Sequence, residues 1–513
     1  MLQGDYILSS IAAAILMIAC INFINLTTAT AARRAKEVGV RKVLGARRVD
    51  LIGQIFFESM LMAVAATGAE AVLARLLLPA FRELSGQASP SDWGDLWQHG
   101  GEILAIGLPA GAVAGGFPAQ LLSSFQPAAV LKGVRRFGPA AARQRRVLVV
   151  LQFAASIGLM IATGIVYSQI HFLRHAPLGF AKENLIYVET RGQLAEKYET
   201  IKAELLRQPS VLSVAAVDQL AIYERNGTSS AGWEGRQPQQ RVQMRWCVVD
   251  DDFARTFGMH MAQARFFSKE FPTDATQAFV INESAARAMG MREPVGRRFT
   301  WDDREGTIIG VLKDFQLRSL HHSVEPLFLV YGPEHCSIIC MRVLADDLRG
   351  TIGLLRRIWE TYSPEFPFEY RFLDDSIDKL YRREDQIGLL FRAFSLIALA
   401  ISCIGLFGLA SYMVEQSTKE VGIRKSLGAT VGGVFAHFVK DFTACVVLAN
   451  LLAWPAAYVA MQAWLQQFAN RIPIQLWIFP LSGALALVIA VVTIGAQAAR
   501  AARRNPVDAL RYE

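Results

Sequence analysis

Apolar blocks of about 20 residues recur along this chain, and they leave few folds open to it. A helix needs about 20 residues to cross a hydrocarbon core of about 30 Å, and a lipid-exposed segment must satisfy its backbone polar groups internally. Seven such blocks are read, at 6–29, 51–78, 102–122, 147–167, 387–414, 434–459 and 476–496. The 52% hydrophobic and 19% charged residues, with a mean hydropathy of +0.28, are too apolar for an ordinary soluble protein. Residues 168–385 are the exception, with the composition of an aqueous domain.

A net charge of +8 would point to nucleic acid if it formed a patch on a soluble surface. Here the basic residues gather in short loops between apolar blocks, so they set topology instead. Arg33, Arg34, Lys36, Arg41, Lys42, Arg47 and Arg48 follow the first block, and Lys132, Arg135, Arg136, Arg143, Arg145 and Arg146 precede the fourth. The positive-inside bias puts both loops in the cytoplasm. The 79–101 loop carries only Arg82 beside Glu83, Asp92 and Asp95 and belongs outside. Alternation then puts 168–385 outside and the tail with Arg500, Arg503, Arg504 and Arg511 inside. The expected address is the cell inner (plasma) membrane, multi-pass, with 168–385 extracytoplasmic. Met1 falls outside, an odd arrangement for which either the first helix inserts amino-end-out or the chain lacks an upstream segment. Six cysteines imply no disulfide framework, since Cys20, Cys403 and Cys445 lie in apolar blocks.

The chain also repeats itself. KEVGVRKVLGA at 36–46 returns as KEVGIRKSLGA at 419–429, an offset of 383 with only Val40/Ile423 and Val43/Ser426 differing. The same offset pairs Cys20 with Cys403 and Glu58 with Asp441, and PAAVL at 127–131 is echoed by PVDAL at 506–510. Two copies of one membrane unit follow. Each motif has helical spacing with its charges at the cytoplasmic face. Gly39 and Gly422 each cost a helix about 1 kcal/mol relative to alanine, which predicts close approach by another backbone or by a partner protein. A snorkelling anchor helix is the plainer reading, but anchoring needs charge and not a repeated Gly and Glu register.

These motifs, with IACINFINLTTATAARRAKEVGVRKVLGA at 18–46, RVLVVLQFAASIGLMIATG, IIGVLKDFQLRSLHHSVEP and the terminal NPVDALR, resemble the FtsX/MacB-like ABC permease family along essentially the whole chain. The resemblance implies a membrane α-helical bundle of about seven transmembrane helices in two FtsX-like units, plus one α/β extracytoplasmic domain of MacB-core type. The expected domains are a first membrane unit at 1–131, a cytoplasmic linker and helix at 132–167, the core domain at 168–385 and a second membrane unit at 386–513. The first unit lacks its first helix and periplasmic domain, the expectation for a chain truncated at its amino end. The resemblance further implies that Lys36, Glu37, Gly39, Arg41, Lys42 and Gly45, with Lys419, Glu420, Gly422, Arg424, Lys425 and Gly428, dock an ABC ATPase subunit. ATP is then used by that partner, with no cofactor bound directly. A periplasmic adaptor and an outer-membrane channel are further partners of the family type, beside membrane lipid. The implied function is ATP-coupled export of a peptide, antibiotic, lipid or lipoprotein. A non-transporting regulator of an extracytoplasmic hydrolase or sensor is the alternative.

Glu58 and Asp441 sit just inside apolar blocks, where a carboxylate is costly unless paired. They read equally as a switch contact with the basic segment and as a structural interface pair. No phosphate loop, H-E-x-x-H or G-x-S-x-G occurs, so no catalytic residue and no metal site is expected, and the chain is not read as an enzyme. Adjacent His321 and His322 read as a loop pair. Asp314, Phe315 and Ser319 read as a packing turn in preference to a substrate contact, and Trp233 and Trp246 as core or interdomain packing residues. The final stretch of the aqueous domain, 374–383, is expected to run unbroken into the next span as a stalk. An ion-coupled secondary transporter would need broken helices with polar groups at the midplane, which the apolar blocks lack.

Overall fold

A computed structural model describes residues 2–85, 94–123, 139–190, 196–220, 226–237, 239–316, 323–416 and 431–502, with some side chains inside these ranges left undescribed. The chain divides into a membrane unit (1–169, 385–464 and 473–513) and an aqueous unit (170–384 and 465–472).

The membrane unit opens with α1 (Leu2–Val43), α2 (Arg48–Ser85) and α3 (Gly94–Ser123), and α4 (Pro139–His175) then leaves it. α2 and α3 pack through small residues. Gly107, Gly111 and Gly115, four apart on α3, face Thr67, Ala63 and Ser59, four apart on α2 and running the other way. A Cβ on Gly111 would overlap that of Ala63, and one on Gly115 would overlap Ser59. Lipid tails are as apolar as leucine, so helices in a bilayer gain contact mainly through close backbone approach, which these glycines permit.

The aqueous unit is α/β, as expected of a sequence that alternates strand-like runs at 184–188, 279–281, 307–312 and 337–344 with helical ones. Its first lobe contains β1 (Leu185–Glu189), α5 (Tyr198–Leu206) and β2 (Val211–Val217). There follow β3 (Gly227–Thr228), β4 (Gly232–Trp233), β5 (Met244–Val249), α6 (Phe253–Thr256), β6 (Met261–Ala264), α7 (Asp274–Gln277), β7 (Ala278–Asn282) and α8 (Glu283–Met289). The remaining elements are β8 (Arg298–Trp301), β9 (Arg304–Leu312), β10 (Leu327–Tyr331), β11 (Ile338–Val343), α9 (Leu348–Tyr362) and β12 (Tyr370–Phe372). All twelve strands form one mixed sheet, in the order β12-β1-β11-β2-β5-β10-β7-β9-β8-β4, with β3 on β5 and β6 on β9. Among the described residues the β5/β10 and β7/β9 pairs are parallel and the other strand pairs antiparallel.

Two apolar cores cover the sheet. One joins β1, β2 and β11 to α5 and α9 through Ile186, Val214, Ile339, Leu205 and Trp359. The other joins β7 to β10 with α8 through Phe279, Phe299, Ile308, Phe328 and Met289. Trp233 is buried in the second, while Trp246 borders both and lies 4.6 Å from Trp301 between ring centroids. α9 buries Thr351, Leu355, Ile358 and Trp359, a one-face spacing, and Asp347 caps its start by accepting from Gly350 N.

The chain then enters α10 (Leu373–Gln416), a single 44-residue helix, followed by α11 (Val431–Leu465) and α12 (Ile478–Ala502). Six helices among the described residues are long and apolar enough to cross a membrane: 9–28, 48–77, 143–175, 385–411, 442–465 and 478–497. The third expected crossing falls in α3, whose described apolar run, Leu104–Gly116, is shorter than a full crossing. The duplication holds in the packing as well as the sequence. Cys20 on α1 meets Ala110 O on α3 at 4.0 Å, and Cys403 on α10 bonds Thr493 on α12, both partners being 383 residues further on. Hydroxyl groups join α4 to α10 at two levels one heptad apart, Ser156 to Ser402 at 2.8 Å and Thr163 to Ser395 at 2.7 Å.

Candidate functional site

The first repeated motif forms the last turns of α1 and the reversal into α2, rather than a separate surface helix. Gly45 ends α1 with φ +97°, a left-handed conformation that glycine adopts without cost. Ala46 N donates to Arg41 O at 3.0 Å and Gly45 N to Lys42 O at 3.1 Å, the paired bonds of a Schellman cap. No atom lies within 4 Å of where a Gly45 Cβ would be, so backbone conformation and not crowding demands the glycine. Arg47 N donates to Asp50 Oδ2 at 3.1 Å, closing the start of α2 three residues in.

A polar relay crosses this hairpin. Glu37 pairs with Arg41 at 2.8 Å, Arg41 Nη1 donates to Gln54 Oε1 at 2.5 Å, and Gln54 Nε2 donates to Glu58 Oε1 at 3.4 Å. Glu58 is thus connected to the basic segment through Gln54, a residue that sequence reading passed over. Val38, Leu51 and Ile55 are buried behind the relay. Partial burial, with Arg48 nearby, pushes the Lys42 ammonium below its ordinary value. The hairpin tip is apolar and open: Leu44 is 81% exposed, Val49 75% and Val43 63%, flanked by exposed Arg41, Arg47 and Arg48.

Lys36 and Gly39 lie on α1 with their surroundings not described, and the whole second motif with Lys419, Glu420, Gly422, Arg424, Lys425 and Gly428 lies outside the described residues. Asp441 falls on α11, and its side chain is likewise not described. His321, His322 and Ser319 are also outside the described residues. Asp314 is a structural cap: it accepts from Ser284 N at 2.8 Å and Ser284 Oγ at 2.9 Å and pairs with Arg287. Phe315 beside it is buried.

The aqueous unit holds a buried charge cluster that the sequence did not disclose. Lys202 Nζ on α5 lies 2.7 Å from Asp250 Oδ2, 2.8 Å from Asp252 Oδ2 and 3.5 Å from Asp251 Oδ1, and Tyr198 OH donates to Asp250 Oδ2 at 2.5 Å. The three carboxylates lie close enough to hold a cation, but the lysine ammonium stands among them. Burial raises the Asp250 carboxyl to about 6 against the opposing pull of Lys202. The surrounding carboxylates hold Lys202 above its ordinary value despite burial. Cys247, Cys336 and Cys340 are free thiols pushed well up by burial, which makes them unreactive. Sequence reading also overlooked His171 and His175, an i, i+4 pair on α4 whose rings stack at 4.2 Å.

Comparison with known proteins accounts for both halves of this architecture. The FtsX-like permease C-terminal model matches residues 9–127 and 392–506, segments that begin 383 residues apart. The MacB-like periplasmic core domain model matches 147–346. The macrolide export ATP-binding/permease protein MacB of Neisseria gonorrhoeae is 23% identical over 279 residues, 52% of this chain and 43% of that protein. MacB of Bdellovibrio bacteriovorus is 32% identical over 48% of this chain and 41% of its own length. The uncharacterized ABC transporter permease YknZ of Bacillus subtilis is 19% identical over 64% of this chain and 85% of its own. This chain thus spans less than half the length of the MacB relatives it matches. A crystal structure of the periplasmic region of MacB from Actinobacillus actinomycetemcomitans aligns with 40% of this chain and 96% of its own, at 14% identity and a TM-score of 0.29. With two FtsX-like membrane segments around a MacB-like core domain in a multi-pass membrane protein, the chain belongs to the FtsX/MacB-like permease family.

Proposed function

We propose that the chain is the membrane-spanning subunit of an ABC transporter and that its two repeated segments each seat one ATPase subunit. The α1–α2 hairpin tip carries the reading. A capped, rigid reversal presents Val43, Leu44 and Val49 to solvent within a basic collar, the apolar centre and charged rim that suit a protein groove. Lys36, Glu37, Gly39, Arg41, Lys42 and Gly45 belong to the first segment, and Lys419, Glu420, Gly422, Arg424, Lys425 and Gly428 are the aligned residues of the second, in which Leu427 matches Leu44 while Ser426 and Gly432 stand in place of Val43 and Val49. ATP is hydrolysed by the partner. The Glu37–Arg41–Gln54–Glu58 relay ties the knob to the membrane part of α2, so displacement of the tip is passed along that helix. Asp441 holds the corresponding place in the second unit.

On the extracytoplasmic side, α10 runs unbroken from the aqueous unit into the membrane unit. A stiff helix of this kind relays motion to the core domain, which acts on a peptide, antibiotic, lipid or lipoprotein outside the membrane. The same continuity suits the second reading, in which the moved object is an extracytoplasmic hydrolase or sensor. The adaptor and outer-membrane channel belong to the export reading.

Co-purification tests the docking. The wild-type chain is expected to hold its cognate ATPase, and Glu37→Lys with Glu420→Lys to lose it, because Lys at 37 turns the attraction to Arg41 into repulsion and Glu420 holds the same place in the second motif. Retention of the ATPase by the double variant would place docking elsewhere.

A further inference from the structure

α1 and α10 are corresponding helices of the two repeats, and they touch through corresponding positions whose residues differ. Asn22 on α1 has Gly405 as its counterpart at the 383-residue offset, and Asn25 has Gly408. Asn22 is 6% exposed and lies on its own counterpart: a Cβ on Gly405 would overlap the Asn22 amide. The same amide donates from Nδ2 to Ile401 O at 2.7 Å, the carbonyl one turn before Gly405. One turn further, a Cβ on Gly408 would overlap Leu26, whose counterpart is Leu409. Elsewhere in the unit equivalent helices meet equivalent partners, as with Cys20 at Ala110 and Cys403 at Thr493. At this crossing the two repeats are complementary instead, with an amide on one helix and a notch on the other.

We propose that this crossing selects the second repeat of the same chain as the partner of the first, and keeps a second copy of the chain out of that seam. An α1 meeting another α1 would set Asn22 against Asn22, whose amides could pair only with the helices held further apart, because neither helix offers a notch. An α10 meeting another α10 would set glycine against glycine, which permits close approach but supplies no side-chain hydrogen bond. α1 on α10 combines close approach with a hydrogen bond: the notch seats the side chain and Ile401 O accepts from Nδ2 inside the membrane, while Oδ1 has no hydrogen-bond partner among the described residues. The choice of partner therefore comes from residues that reject the alternatives as well as from those that attract. The proposal rests on reading the duplicated chain as both halves of a permease, and it identifies which residues make it one molecule rather than two.

The test co-expresses two differently tagged full-length copies and measures recovery of one through the other's tag after detergent extraction. Wild type is expected to yield a single copy. Gly405→Asn blocks the notch and places an amide on α10, so recovery of the second copy is expected to rise about tenfold, the factor for one interhelical polar contact. Asn22→Gly with Gly405→Asn exchanges the two residues across the near-symmetric crossing and is expected to return the chain to a single copy. One-to-one recovery of the second copy with wild type overturns the proposal, as does an unchanged Gly405→Asn or an exchange no better than that single variant. Should Gly405→Asn not accumulate, the exchange variant decides alone: single-copy protein upholds the selection, and failure to accumulate overturns it. ATPase binding is not read in this experiment, so a chain that pairs internally yet binds no ATPase refutes the permease reading and leaves this one standing.

Discussion

Lys202 shows what a single buried charge does for the aqueous unit. Its ammonium is enclosed by Asp250, Asp251 and Asp252, with Tyr198 completing the hydrogen bonds to Asp250. Removing one member of such a group strands its partner's charge, at a cost of about 3 kcal/mol or more. Lys202→Met is therefore expected to lower the thermal unfolding temperature of the detergent-solubilised chain at pH 7.5. The pH dependence follows from the directions of the two shifts. The raised lysine pKa contributes stability that is fully present below the unfolded value of about 10.4 and is lost as pH climbs through the folded one. The Asp250 carboxyl, raised to about 6, keeps a proton in the folded state that the unfolded chain releases near 3.9. Its own contribution therefore falls as pH rises from about 4 to about 6. In Lys202→Met the carboxylate has lost its cation, so the variant is expected to recover part of its deficit on acidification to pH 5. A variant whose deficit is the same at pH 5 and pH 7.5 would show that Asp250 does not depend on Lys202.

At the scale of helices, the α2–α3 contact makes a sharper prediction than hydropathy alone. Gly111→Leu drives a side chain into Ala63 and is expected to cost about 1–3 kcal/mol as overpacking. Gly116→Leu, on the same helix but with nothing within 4 Å of its Cβ position, is the matched control and is expected to be tolerated. Unfolding followed by thiol accessibility of Cys20, which packs on Ala110 of the same helix, compares the two. Helix identity was legible in the sequence because block length and apolarity are local properties, and the strands at 184–188, 279–281, 307–312 and 337–344 were legible for the same reason. The tip's register was legible as a repeat, yet its shape was not: only φ at Gly45 and the Schellman bonds reveal a reversal instead of a free surface helix. The Lys202 cluster was hidden because its partners are 48 or more positions apart and join only when α5 packs beside the end of β5. Gln54 escaped notice because an uncharged residue between Arg41 and Glu58 carries no signal until its two hydrogen bonds are seen.

At the scale of the whole molecule, duplication is the organising fact. The FtsX-like matches begin 383 residues apart, the α1–α3 contact at Cys20 is repeated by α10–α12 at Cys403, and the helices that correspond meet at Asn22 and Gly405. Under the proposed function, one chain supplies two docking segments where a single-unit permease supplies one. The most direct test is the mass of the purified complex, measured by native mass spectrometry with the ATPase held in its nucleotide-bound state. One copy of this chain with two ATPase subunits is the predicted composition. Two copies of the chain with two ATPase subunits, or one with one, would contradict it.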